Sequence, residues 1–254
     1  MQSKYYAVKE GYDFKENKAV KDLILNSWDE CVKYVKGAKG AKYKSFKTRS
    51  EAEDYLFGNS VNLSSKDQYP KDCLHIYVDG SYSTETEKYA YAFVAVKEDV
   101  IIHIENGASR DNSMKKLRQI AGELEAAVKA AAFAAGTGEN KVLIFHDYAG
   151  IYHHAAGTWE RKDASSREYY DTMNEYINNG LDITFVKTEG HSGDIYNELT
   201  DSFAKAAAGI NPTRAVDSFL KENKLYVKNQ GLLDKVKSVV KTQSQVNILI
   251  ASRE

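Results

Sequence analysis

The stretch Leu74-His-Ile-Tyr-Val-Asp-Gly80 decides how this chain folds. It is rich in β-branched and aromatic residues and ends on an aspartate followed by glycine, so it reads as a strand with a carboxylate at its end. Working outward, residues 89–96 and 100–105 read as two further strands. Residues 117–135 carry many alanines and few β-branched residues, which predicts a helix. A short apolar strand follows at 142–145. An amphipathic helix then starts at Ser165 or Ser166 and runs through Tyr169, Met173, Tyr176 and Ile177. Residues 183–186 form a last strand, 191–194 a loop and 195–208 a helix. The order is three strands, helix, strand, helix, strand, helix. It predicts an α/β fold, a mixed five-stranded sheet with helices packed against it.

Four acids stand where such a fold does chemistry. Asp79 closes the first strand and Asp147 follows the fourth, positions where the backbone is fixed and side chains are free. Glu123 lies in Gly-Glu-Leu-Glu-Ala beside Ala121 and Leu124, on the helix edge facing the sheet. Asp201 lies in the last helix between Leu199 and Phe203. Carboxylates gathered together repel one another, and divalent oxygen-loving cations relieve that repulsion. Strand-end aspartates also cap turns, and helical acids often face solvent. The pattern alone therefore leaves both readings open.

The flanks differ from this centre. Residues 1–57 hold twelve Lys or Arg against nine Asp or Glu, net +3, while 72–209 hold thirteen against 22, net -9, and 211–254 eight against four, net +4. The overall charge of -1 thus hides a basic head and tail around an acidic middle. Basic surfaces attract phosphate backbones, and an acidic centre tolerates them when cations intervene. In the head, residues 4–10 and 42–47 read as strands. Ser27 and Glu30 form a capping box for a helix that Gly37 ends. Thr48 and Glu51 start another helix, with Ala52, Tyr55 and Leu56 on its apolar side. Residues 11–25 fit either a short strand or a helical turn. Lys33, Lys36, Lys39, Lys42, Lys44, Lys47 and Arg49 follow one another with no acid between them. Polar residues 59–71 read as a linker. In the tail, Asn211-Pro212 opens a helix bearing Val216, Phe219 and Leu220. Leu232, Leu233, Val236 and Val240 mark a second, and 246–250 a final strand. The tail reads as a third small domain or as a helical extension docked on the sheet. Two isolated cysteines, Cys31 and Cys73, form no metal-ligand pattern. With no apolar stretch of membrane-spanning or signal-peptide kind, the sequence predicts a cytoplasmic protein with no membrane partner.

Four segments resemble the type 1 ribonuclease H family, in its order and spacing: Ile76-Tyr-Val-Asp-Gly-Ser81, Gly122-Glu-Leu-Glu-Ala126, His146-Asp-Tyr-Ala-Gly150 and Gly190-His-Ser-Gly-Asp-Ile-Tyr-Asn-Glu-Leu-Thr-Asp201. The resemblance implies endonucleolytic hydrolysis of the RNA strand of RNA–DNA hybrids, leaving 5′-phosphate and 3′-hydroxyl ends. It implies two Mg²⁺ or Mn²⁺ ions held by Asp79, Glu123, Asp147 and Asp201. His191 matches the family's mobile histidine, which assists proton movement or product departure. Asn197 and Gln119 match substrate contacts, although Ile120 departs from the family's paired asparagines. Residues 4–57 resemble the hybrid-binding, or viroplasmin-like, domain, through Tyr5-Tyr-Ala-Val-Lys9, Ser27-Trp-Asp-Glu-Cys31, Gly37-Ala-Lys-Gly-Ala41 and Tyr43-Lys-Ser-Phe46. There the family uses Trp28 as an aromatic platform, Tyr43 as a duplex-facing aromatic and Lys44 on phosphate. The domain admits double-stranded RNA as a second ligand. The stretch between Gly11 and Ser27 is longer than the family's compact turn.

The organisation expected is a hybrid-binding domain at 1–57, a linker at 58–71, a catalytic domain at 72–210 and an extension of unassigned role at 211–254. Oligomeric state is not legible. Two other classes stay open: a hybrid- or double-stranded-RNA-binding protein with little catalysis, and a related nuclease or transposase with the same core.

Overall fold

A computed structural model describes residues 4–47, 52, 55–56, 69–70, 72–109, 119–159, 164–188 and 193–252. The chain divides into two compact units, Met1–Ser60 and Val61–Glu254.

The ambiguity over residues 11–25 resolves into a hairpin. β1 (Tyr5–Asp13) and β2 (Lys18–Leu25) pair antiparallel from Tyr6↔Leu25 to Asp13↔Lys18. At the tip, Asp13 Oδ1 accepts from the amides of Lys15 and Glu16, and Asn17 takes a left-handed φ of 50°, a conformation asparagine tolerates. α1 (Trp28–Val35) starts as expected. Ser27 Oγ accepts from Glu30 N at 3.2 Å, and Glu30 reaches back to the Asn26 amide at 3.1 Å. β3 (Lys42–Phe46) pairs on the other side of β1, giving the order β2-β1-β3. α1 buries Cys31 and Val35 against Val8 on one face. On the other, Ala52 and Leu56 bury against Ala7. The cap assigned to Thr48 and Glu51 lies outside the described residues.

The second unit is a seven-stranded sheet rather than the expected five, with order β10-β9-β6-β5-β4-β7-β8. β4 (Leu74–Ser83), β5 (Lys88–Lys97) and β6 (Val100–Ser109) form an antiparallel meander, and β7 (Lys141–His146) and β8 (Asp182–Lys187) extend it in parallel. The two extra strands come from the tail. β9 (Leu225–Val227) pairs parallel with β6, and β10 (Ile248–Ile250) pairs with β9. The tail is therefore a docked extension of the sheet, not a separate domain. Burial explains the docking. Val216, Leu220, Leu225, Val236 and Ile248 share one core with Leu199 and Phe203 of α5 (Ile195–Ala208) and with Val94 and Ile101 of the sheet. Lys235 Nζ also donates to the Ile104 carbonyl at 2.9 Å. The tail's helices are α6 (Ala215–Phe219) and α7 (Gln230–Lys237), with a 3₁₀ turn at Thr242–Asn247 where the sequence suggested the start of a strand.

The opposite face carries α2 (Gln119–Gly136), α3 (Gly150–Ala155) and α4 (Ala164–Asn178). α2 lies flat because its sheet-facing stripe is alanine: Ala126, Ala127, Ala130, Ala131 and Ala134 are all buried. α3 has no counterpart in the sequence reading, since six residues are too few for periodicity to declare a helix. Among the described residues, no helix is long and apolar enough to cross a membrane, and both cysteines are free and buried.

This face predicts acid lability. Burial holds the imidazole of His146 down to about 3 and that of His153 to about 4. His146 Nδ1 meets the Tyr148 carbonyl, while its Nε2 has no partner among the described residues. Both pKa values lie below the unfolded value. The unfolded chain thus binds more protons below about pH 6.5, and stability falls with pH from there down through pH 4 and 3, by about 1.4 kcal/mol per unit for each histidine. Chemical denaturation at pH 7, 6 and 5 should show a shallower loss of stability in His153→Gln than in wild type, the slopes differing by about 1.4 kcal/mol per pH unit below pH 6.5. Equal slopes in wild type and variant would contradict this account.

Candidate active site

Asp79 does not end its strand; β4 continues to Ser83 because β5 keeps pairing with it as far as Ser83↔Lys88. What ends near Asp79 is the parallel partner. β7 pairs with β4 up to Tyr77↔Phe145 and stops at His146. Continuing that register brings Asp79 level with Asp147, just beyond the carboxyl end of β7. Stacked rings of Tyr77 and Phe145, with centroids 4.4 Å apart, lie directly beneath. Strand alternation sends Leu74, Ile76 and Val78 to the α2 face, and Tyr77 and Asp79 to the α5 face.

α2 supplies the third acid. A Cβ at Gly122 would lie 2.1 Å from the Ala90 carbonyl oxygen and 3.1 Å from the Gly80 α-carbon, so the helix touches the sheet backbone here. This close approach places Glu123, 4% exposed, beside Asp79, 7% exposed. Ligand oxygens of Asp79, Glu123 and Asp147 all lie within 4.8 Å of one another. Burial, then the charges of Asp147 and Asp201, hold the Asp79 carboxyl well above the usual carboxylate range, although its Oδ1 accepts from Gly80 N at 2.8 Å. An oxygen-only donor set, with two of its three acids buried and the charges of Asp147 and Asp201 opposing ionisation of Asp79, fits a hard divalent cation, which would cancel the repulsion.

Asp201 stands close enough for its charge to act on Asp79, but not within the three-acid cluster. It is held by Lys205, one helical turn on, with Nζ to Oδ2 at 2.8 Å and the two side chains only 24% and 14% exposed. A cation recruiting Asp201 competes with this ammonium. Lys205→Met should therefore shift the Mg²⁺-dependent rise in Tm to concentrations lower by about three- to tenfold, the effect of roughly 1 kcal/mol of competing ion pair. An unchanged midpoint in a thermal-shift titration would remove Lys205 from the metal balance. The sequence held this signal as an Asp–Lys pair at i,i+4, a spacing that places two helix residues side by side.

Asn197 is buried in α5 one turn before Asp201. Asp194 caps that helix by accepting from Tyr196 N at 3.0 Å, and Gly209 closes it at φ 82°. Gln119 is the first residue of α2; its side chain, and the whole of His191, lie outside the described residues. In the N-terminal unit, Trp28 and Tyr43 are 43% and 45% exposed, and their rings sit 5.8 Å apart with Tyr6 5.7 Å from Trp28. They form an open aromatic patch rather than a core. Lys44 faces away from it. Tyr43 pairs with Val8 on the α1 side, whereas Lys44 pairs with Ala7 and lays its ammonium 5.5 Å over Phe46.

Residues 71–209 match the RNase H family. This chain belongs to that family. Residues 4–56 match the ribonuclease H1 N-terminal domain, ahead of the RNase H match. Among curated relatives, ribonuclease H of Saccharomyces cerevisiae is 26% identical over 250 residues, covering 80% of this chain and 68% of that protein. Ribonuclease H of a Cyanothece species is 27% identical over 148 residues, covering 54% and 90% respectively. Among solved structures, an RNase H1 from the halophilic archaeon Halobacterium salinarum is 20% identical, covers 54% of this chain and 97% of its own, and aligns with a TM-score of 0.46.

Proposed function

We infer that this RNase H hydrolyses the RNA strand of RNA–DNA hybrids as an endonuclease, leaving 5′-phosphate and 3′-hydroxyl ends. The observation that carries the reading is the convergence of Asp79, Glu123 and Asp147 oxygens within 4.8 Å in a chain whose RNase H match spans residues 71–209. We assign Asp79, Glu123, Asp147 and Asp201 as ligands of two divalent ions, Mg²⁺ or Mn²⁺. Bound there, such ions supply Lewis acidity for phosphodiester hydrolysis and neutralise charge on the phosphoryl group. The chain's own part is placement. The rigid β4–β7 pair fixes two carboxylates, the close seat of α2 fixes the third, and α5 presents the fourth. His191 is assigned to proton movement or product departure, and Asn197 and Gln119 to the substrate backbone.

The chain is read as a hybrid-binding module at 1–57 joined through 58–71 to the catalytic domain at 72–210, with the 211–254 extension completing its sheet. Trp28 and Tyr43 offer flat, half-exposed rings for packing against sugars, and the lysine run supplies phosphate neutralisation. Double-stranded RNA is a second ligand of the same module on this reading. Incubation with a hybrid labelled on either strand, in Mg²⁺, in Mn²⁺ and in chelator, tests the assignment. RNA fragments with ligatable 5′-phosphates in metal and none in chelator are expected. Hybrid binding without cleavage in either metal would favour a binding module instead.

A further inference from the structure

Tyr69 and Pro70 belong to the segment that the sequence reads as linker, yet Tyr69 packs against the core of the second unit. The Pro70 carbonyl accepts from Cys73 Sγ at 3.2 Å and meets His75 Nε2 at 2.8 Å, which ties this backbone to the start of β4. The half-buried Tyr69 ring turns onto the sheet, edge-on to Phe145 at 5.1 Å and to His75 at 6.4 Å.

That position lies under the acids. Strand alternation puts Tyr77 and Asp79 on one face of β4, and Phe145, two residues before Asp147, on the same face of β7. Two residues of strand rise about 7 Å, so the stacked rings of Tyr77 and Phe145 are the floor above which Asp79 and Asp147 stand. The first turn of α5 meets the same floor, with Tyr196 5.4 Å from Tyr77. Burial, and then the charge of Asp194, raise the hydroxyl pKa of both Tyr69 and Tyr77, so the cap of α5 stands near both rings. Tyr69 therefore contacts the strand that presents Asp147 and lies beside the cap of the helix that presents Asp201. Asp201 stands outside the three-acid cluster. How near it comes is set by where α5 rests on these rings.

We propose that Tyr69 is a positioning residue, a ring supplied by the linker segment that holds the spacing between α5, with Asp201, and the cluster of Asp79, Glu123 and Asp147. It acts through Phe145 and the first turn of α5 and touches no reacting atom. The proposal rests on the metal-dependent nuclease reading of this site. It is tested in the full chain by steady-state cleavage of a hybrid, well below the Tm of every variant, and by a Mg²⁺ thermal-shift titration without substrate. Loss of the ring leaves a void in the seam, and a shift of about 1 Å at a catalytic group is worth up to about a hundredfold in rate. Tyr69→Ala should lower kcat about tenfold with KM for the hybrid unchanged, and raise the Mg²⁺ midpoint about threefold. Tyr69→Phe should restore both to within about twofold, since the ring rather than the hydroxyl meets Phe145. Tyr69→Leu keeps apolar bulk without the flat ring, so it should fold where the alanine variant does not and still lower kcat about threefold. Val216, 1% exposed, lies in the same core at the docked tail. Val216→Ala should lower Tm and leave kcat unchanged. Wild-type kcat and Mg²⁺ midpoint in Tyr69→Ala and Tyr69→Leu would overturn the role of Tyr69 and leave the nuclease reading standing. An equal loss of kcat in Val216→Ala would do the same, since general loosening of the core would then explain the effect. No cleavage by wild type in either metal would overturn the nuclease reading, and this proposal with it.

Discussion

Asp79→Asn is expected to reduce cleavage of the hybrid by at least about a thousandfold and, at the same time, to make the metal-free protein more stable. The first effect follows from position. Asp79 is one of the three clustered acids, with a carboxylate oxygen within 4.8 Å of those of Glu123 and Asp147, and it lies in the field of Asp201. An amide in its place keeps the shape but removes the charge that holds a cation, and a thousandfold loss corresponds to about 4 kcal/mol of transition-state stabilisation. The second effect follows from burial. Desolvation and two neighbouring carboxylates disfavour a charged Asp79 in the folded chain. Neutralising it should raise the Tm of the metal-free protein by a few degrees, about 1–2 kcal/mol. The pH dependence has a definite sign. Because the folded-state pKa is raised, the cost to stability is present above the ordinary carboxylate range and disappears as the pH falls into it, where the unfolded chain also holds the proton. The gap in Tm between variant and wild type should therefore close on acidification. Saturating Mg²⁺ should reverse the order, stabilising wild type more than the variant. A variant less stable than wild type in chelator at pH 7 would contradict this electrostatic account.

Gly122→Ala is expected to be the most damaging substitution of a residue with no functional group. The added carbon would meet the Ala90 carbonyl oxygen at 2.1 Å and its carbon at 3.0 Å, and both atoms belong to the backbone of a central strand. No flexible side chain can give way, so α2 must lift from the sheet and carry Glu123 with it. A displacement of about 1 Å at a catalytic group costs roughly a hundredfold in rate, and overpacking of this kind costs about 1–3 kcal/mol in stability. A purified, folded Gly122→Ala protein with wild-type kcat would show that the seat of α2 does not set the position of Glu123.

The core of the fold was legible where residues carry strong periodicity. β4, β7 and α5 follow from apolar runs and caps, and the Ser27 box marks the start of α1 as observed. What escaped was short or nonlocal. Leu225–Val227 is three residues long and is a strand because the edge of β6 stood open beside it, which no local pattern announces. The same reason turns the expected five strands into seven. At the site, the residue types were readable but not their distances. Asp79 and Asp147 meet because of a parallel register between β4 and β7, and Glu123 joins them through a glycine whose neighbour is a carbonyl 32 residues earlier in the chain. The separation of Lys44 from Trp28 and Tyr43 also comes from strand alternation once the β1–β3 register is known.

The central claim is that these carboxylates make a metal-dependent nuclease selective for RNA in a hybrid. Its most direct test is cleavage of sequence-matched RNA–DNA, RNA–RNA and DNA–DNA duplexes by wild type and Asp79→Asn, each in Mg²⁺ and in Mn²⁺. The account predicts cutting of the RNA strand of the hybrid alone, abolished in the variant. Cleavage of the DNA duplex, or hybrid cleavage that survives Asp79→Asn, would contradict it.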